Sequence, residues 1–145
     1  MDAHSLALLR RLIAMAGRSL LQYVSESSPW TTPASQEAFT QIIALAQEER
    51  DAVSKWMRYM QKHHQPRVVL GSYPVYFTTM NYITVDHLLP LLIAENTHNL
   101  SELDRILVQE SDEEVRTMIQ AYREMKQRHL QTLKALATPK EKAAV

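Results

Sequence analysis

The chain predicts an all-α domain, a four-helix bundle with one long crossover between its second and third helices. Three observations carry this. Four segments repeat apolar residues at the three-and-four spacing of a helix face. Only two glycines occur in 145 residues, so long helices with few tight turns are expected. The one long stretch without helical period falls in the middle of the chain, between the second and third periodic segments.

The first helix is expected from about Ser5 to Ser25, with Leu9, Leu12, Ile13, Ala16, Leu20, Tyr23 and Val24 on one face. Gly17 lies at the edge of that face, where a missing side chain lets a neighbouring helix approach. Glu26 to Thr32 reads as a loop. Thr32-Pro33 then reads as an N-cap followed by proline at the first helical position, where the absent N–H costs nothing. The second helix runs to about His64, carries Phe39, Ile42, Ile43, Ala46, Val53, Met57 and Met60 as its stripe, and is ended by Pro66.

Gln65 to Ile83 holds Pro66, Gly71, Pro74 and a concentration of aromatic and β-branched residues, among them Val68, Val69, Tyr73, Val75, Tyr76, Phe77 and Tyr82. It reads as an ordered connection packed on the bundle. The third helix starts near Thr84 or Asp86 and ends near Gln109, with Pro90 bending its first part. Ser111 answered by Glu114 forms a capping box that opens the fourth helix. That helix's stripe is Val115, Met118, Ile119, Tyr122, Met125, His129, Leu133 and Leu136. Residues 138–145 read as a frayed, charged tail of a single domain spanning 1–145.

The connections set the topology. Helices three and four, joined by a very short turn, are expected to be antiparallel neighbours, as are helices one and two. The middle connection exceeds the roughly 2–8 residues of a simple helical hairpin. A second helix of about 30 residues is about 45 Å long, and about 19 extended residues reach about 60 Å. The connection can therefore run the length of the bundle and make helices two and three parallel.

Composition narrows the function. Lys plus Arg equals Asp plus Glu, so the formal charge is zero. A nucleic-acid binder needs a basic face, and an anionic membrane needs one too; neither partner is expected. The absence of cysteine removes disulfides, thiolate chemistry and zinc–cysteine sites, and fits a cytoplasmic protein. No apolar run approaches the ~20 residues of a membrane span. Arg10, Arg11 and Arg18 inside the first apolar stretch suit an amphipathic helix better than a signal peptide. There is no Gly-x-Ser-x-Gly elbow and no glycine-rich phosphate loop.

Glu95-Asn96-Thr97-His98 is the only Glu-x-x-His in the chain, and Leu45-Ala46-Gln47-Glu48-Glu49-Arg50 is an acidic stretch on the second helix. With two antiparallel helix pairs and one long crossover, these motifs resemble the ferritin-like superfamily. The resemblance covers most of the chain in architecture and about ten residues in motif. It implies a carboxylate–histidine centre for iron or manganese in mid-bundle, where carboxylates offset the charge of paired cations. Glu49, Glu95, His98 and His129 are the candidate metal ligands. The departures are specific: the apolar face of helix one carries no acid, Ala52 stands three residues after Glu49, and Lys126 stands three before His129.

Each candidate also has a plainer reading. Glu49 lies on the apolar side of helix two, between Ala46 and Val53, where a carboxylate needs a metal or a cationic partner such as Arg50 or an arginine on a neighbouring helix. Glu95 and Asn99, near the stripe of Leu88, Leu92, Leu103 and Ile106, make either a pocket or a hydrogen-bonded layer that sets helix register. His98 is rotated toward the rim. Tyr122 and His129 share the core face of helix four. His63-His64 suits a helix C-terminus, where positive charge is favourable. The methionines at 57, 60, 118 and 125 read as core.

Two functions follow as expectations. The first is a non-catalytic ligand-binding or self-associating bundle with a polar core layer of Glu49, Glu95, Asn99, Tyr122 and His129. The second is a metal-dependent oxidoreductase with an incomplete carboxylate/histidine site using iron or manganese. A second copy of the chain, meeting it through the aromatic crossover, and a small-molecule ligand are the candidate partners.

Overall fold

A computed structural model describes residues 2–27, 29, 31–80 and 83–138. Among them the chain is all-helical, without strands, as expected. Five α-helices follow in order: α1 (Ala3–Gly17), α2 (Leu20–Ser27), α3 (Gln36–Lys62), α4 (Val85–Gln109) and α5 (Glu113–Ala137). A short 3-10 helix, Val75–Met80, lies in the connection between α3 and α4.

The helix expected over Ser5–Ser25 is two helices. Asp2 caps α1, accepting from the Ser5 N–H at 2.8 Å. The helix stops at Gly17, and α2 restarts with Ser19 as its cap, its Oγ accepting from the Gln22 N–H at 3.3 Å. The apolar stripe continues across the break, which is why periodicity alone reads it as one element. Gly17 makes room for the crossover rather than for a helix: a Cβ there would stand 2.8 Å from both terminal carbons of Leu70. Arg18 fastens the same place. Its Nε donates to the Gly71 carbonyl at 2.5 Å, and its guanidinium stacks 4.9 Å from the Tyr73 ring centroid.

Three other boundaries shift. Thr32 and Pro33 form a turn, with the Ser35 N–H donating to the Thr32 carbonyl at 3.0 Å, so α3 starts at Gln36. Asp112, not Ser111, caps α5, because its carboxylate accepts from the Val115 N–H at 3.0 Å. Pro90 lies six residues into α4, exposed, within a helix that continues through it. Ile43, expected in the α3 stripe, is 43% exposed. The expected tail lies, except for Thr138, outside the described residues, as do Ser28 and Trp30 of the first loop and Tyr82 of the crossover.

Side-chain bonds fix the helix directions. Ser5 meets Glu110 and Leu20 meets Glu95, so α1 and α2 run antiparallel to α4. Ser19 meets Glu49 and Gln22 meets the Ala46 carbonyl, so they also run antiparallel to α3. Tyr59 meets Glu114 and Glu48 meets His129, so α3 and α5 are antiparallel. Consequently α3 and α4 point the same way, and the connection between them returns along the molecule.

Two apolar cores result. One joins α1 to the second half of α3, the end of α4 and the first half of α5, through residues such as Leu9, Ile13, Trp56, Leu103 and Ile119. The other joins α2 to the first half of α3, the first half of α4 and Leu133, and takes in Phe77 from the crossover. Between the cores, at the level of the α1–α2 break, lies a belt of buried polar side chains.

Candidate functional site

The belt is centred on Glu49, whose carboxylate is fully buried. Its position between Ala46 and Val53 on the α3 stripe forces it inward, and four donors meet it there. Oε1 accepts from Ser19 Oγ at 2.6 Å and Gln22 Nε2 at 3.0 Å. Oε2 accepts from the Tyr122 hydroxyl at 2.7 Å and from Lys126 Nζ at 3.0 Å. Burial pushes the Glu49 carboxyl up, but the Lys126 ammonium and then the bonds from Ser19, Gln22 and Tyr122 outweigh it and hold the group below the usual carboxylate range. Burial and the Glu49 charge together raise the Tyr122 hydroxyl well above its ordinary value.

Gln22 extends the layer outward, its side-chain oxygen accepting from Arg50 Nε at 3.2 Å and Nη2 at 3.1 Å. Arg50 therefore reaches Glu49 only through Gln22. The expected cationic partner exists, but it is a lysine from α5.

Glu95 is half-buried and has a different task. Its Oε2 accepts from the Leu20 N–H at 2.9 Å, so a carboxylate of α4 closes the first turn of α2, where a negative charge is favoured. Burial raises its pKa; the Leu20 N–H works against that, while the nearby Glu49 charge adds to it. Glu49 and Glu95 thus grip consecutive residues, Ser19 and Leu20, at the helix break.

His129 is buried but turns to the next residue along α3: its Nε2 lies 2.8 Å from Glu48 Oε1. Burial, then the Lys126 charge, lower its pKa against the pull of Glu48. The ring is neutral at pH 7, Nε2–H donates to Glu48, and Nδ1 has no hydrogen-bond partner among the described residues. Glu48, held below its ordinary pKa by the bonds from His129 and Arg128 against a burial penalty, leads from this ring to the surface.

Of the remaining candidates, Asn99 is buried on α4 and His98 is exposed one position before it. Glu49 and Tyr122 are in direct contact, Glu95 is joined to them through the α2 terminus, and His98 lies outside the buried belt. Asn96 is buried with both amide atoms unpartnered among the described residues. No group of three or more His, Asp or Glu side chains among the described residues is placed to hold a metal ion.

Comparison with protein-family models, with curated proteins and with solved structures finds no match for this chain. The geometry therefore carries the functional reading by itself. Ser19, Gln22, Glu48 and Lys126 were not among the candidates read from the sequence. Lys126 gave a signal: it lies four residues after Tyr122 on the inward face of α5, and a lysine there requires a buried carboxylate. A separate polar anchor, also unforeseen, sits at the opposite end of α1. Ser5 Oγ donates to the buried Glu110 carboxylate at 2.6 Å, and the Asp112 N–H donates to the same oxygen at 2.9 Å.

The belt has a defined pH response. His129 has a folded pKa below its unfolded value, so the unfolded chain takes up the proton first. Its contribution is intact above pH 6.5 and is lost as pH falls from there through the lowered folded value. Glu95, raised above 4.5, acts with the opposite sign and gains as pH falls through its folded value. Glu49 contributes above pH 4.5 and is lost below it. Urea unfolding midpoints should therefore begin to fall just under pH 6.5, with a slope of at most about 1.4 kcal/mol per pH unit for one linked proton. His129→Leu should flatten that part of the curve; an unchanged slope in the variant would remove His129 as its source.

Proposed function

We propose that the protein is a non-catalytic, ligand-binding helical bundle, ferritin-like in its helix order and crossover, whose polar centre fixes the fold instead of carrying a reaction. The antiparallel pairs and the returning connection between α3 and α4 support the ferritin-like order. The observation that carries the functional part is the occupancy of Glu49: two donors on each oxygen, with the Lys126 ammonium standing where a metal cation would have to sit. A fully buried carboxylate already neutralised and hydrogen-bonded has no reason to recruit a cation, and lysine cannot act as a ligand while protonated. The buried histidine of α5, His129, is committed through Nε2 to Glu48.

The test is direct. The purified, untagged protein is incubated with ferrous iron, with manganese and with zinc, desalted, and assayed for bound metal and for thermal stability. We expect substoichiometric metal and an unchanged melting temperature. One equivalent of iron or manganese retained by the wild type and lost in Glu49→Ala and Glu95→Ala would overturn this reading in favour of the metal-dependent oxidoreductase.

A further inference from the structure

We infer that the cleft formed where the crossover folds back on the end of α3 binds an organic phosphate, a monoester with a dianionic head and an apolar body. This rests on the ligand-binding reading above and gives that reading a place and a ligand class. The cleft follows from how α3 ends. His64 takes a left-handed conformation with φ 57°, and the Gln65 N–H donates to the Met60 carbonyl at 3.0 Å, a reversal that closes many helices. Pro66 keeps the helix from resuming, and Val68 packs against the core of α1, α3, α4 and α5. The chain therefore runs back over the turns it has just left, and Arg67 shares a cleft of about 330 Å³ with Arg58. That volume lies within the roughly 300–1,000 Å³ of small-molecule sites.

Charge decides the head group. Arg58 and Arg67 are the charged residues of the lining, and no Asp or Glu is among them. Both are exposed, and neither has a hydrogen-bond or salt-bridge partner among the described residues. Arg58 precedes the last turn of α3, where Lys62 already serves the negative helix end, and the macrodipole acts little beyond that turn. Two guanidinium groups from separate segments thus meet at one cleft without a carboxylate, and their forked N–H donors match phosphate oxygens. A phosphate monoester carries about −1.5 to −2 at pH 7, a charge that two arginines balance. The body follows from the rest of the lining. Met57 and Val68 are half-buried and Pro66 is exposed, so apolar surface stays open to a ligand. The Met57 thioether favours contact with an aromatic ring.

Phenyl phosphate tests this on the full chain at neutral pH and low salt, with inorganic phosphate and benzoate as comparators. Calorimetry reads the affinity, and the methionine methyl resonances in NMR read the place. Saturable binding is expected, with shifts centred on Met57 and absent from Met118 and Met125 of α5. Arg58→Gln and Arg67→Gln should each weaken phenyl phosphate about tenfold, the effect of one charge-assisted hydrogen bond, and leave the melting temperature unchanged. Together they should abolish binding. Lys55→Gln removes an exposed charge from the same helix but outside this cleft, and should change the affinity less than about twofold. Absence of saturable binding, methyl shifts away from Met57, or binding that survives the double substitution overturns the site. A Lys55→Gln effect equal to that of Arg58→Gln overturns it in favour of a general electrostatic attraction. Inorganic phosphate bound as tightly as phenyl phosphate overturns the apolar body, and benzoate bound as tightly overturns the dianionic head. Failure of the non-catalytic reading appears separately, as stoichiometric metal in the wild type.

Discussion

Lys126→Met is expected to destabilise the protein by about 3–5 kcal/mol, the cost of leaving a buried charge without its partner. Methionine matches the lysine stem in length, so packing is largely kept and the loss falls on Glu49. That carboxylate keeps three neutral donors, Ser19, Gln22 and the Tyr122 hydroxyl, but loses the only cation bonded to it among the described residues. Burial, now unopposed by an ammonium, raises its pKa, and the variant should gain stability as pH falls and Glu49 takes up a proton. In the wild type the same titration has the opposite sign. Chemical denaturation of both proteins from pH 8 to pH 3 spans both titrations, the wild-type one lying below pH 4.5. Adding Glu49→Leu to Lys126→Met should recover much of the loss, because an apolar pair of similar volume replaces a desolvated ion pair. A Lys126→Met variant within about 0.5 kcal/mol of wild type at pH 7 would mean that the ammonium is not what balances Glu49.

Much of this arrangement could be read from the residues, and the parts that could not have physical causes. Helices α3, α4 and α5 announce themselves by long, regular stripes, and the direction of the crossover follows from lengths alone. The α1–α2 break does not, because Gly17, Arg18 and Ser19 fall within a stripe that continues in phase on both sides. What ends α1 there is tertiary: Leu70 packed on Gly17, and two carboxylates from other helices gripping Ser19 and Leu20. A carboxylate on an apolar stripe likewise announces that it must be paired but not with what. Glu49 sits beside Arg50 in sequence and 77 residues from Lys126, and the distant lysine is the one that reaches it. Of the neighbouring acids, Glu48 faces outward enough to be half-exposed and so looked ordinary, yet it is the partner of the buried His129.

The crossover should prove as integral as the helices, and Phe77→Ala is the substitution that measures it. A loss of about 3–5 kcal/mol is expected, the usual cost of removing a buried aromatic ring. Phe77 is 2% exposed and belongs to the core formed by α2, α3 and α4. Its ring meets Tyr23 of α2 at 5.5 Å, Tyr73 at 6.2 Å and Tyr76 at 4.8 Å between centroids. Tyr23 and Tyr73 meet each other edge-on at 5.2 Å, so one ring removed loosens a cluster of four. The same segment carries residues that make no such contribution. Val75 is 84% exposed, and Val75→Ser should change stability by no more than about 0.5 kcal/mol. The contrast between two residues of one turn separates a packed segment from a tether. If the crossover were only a tether, Phe77→Ala would raise proteolysis between residues 65 and 84 without moving the global unfolding midpoint. The anchors at Gly17, Arg18 and Phe77 all tie the segment to α1, α2 and the break between them. Global and local unfolding should therefore coincide, with a single transition by both circular dichroism and tryptophan fluorescence.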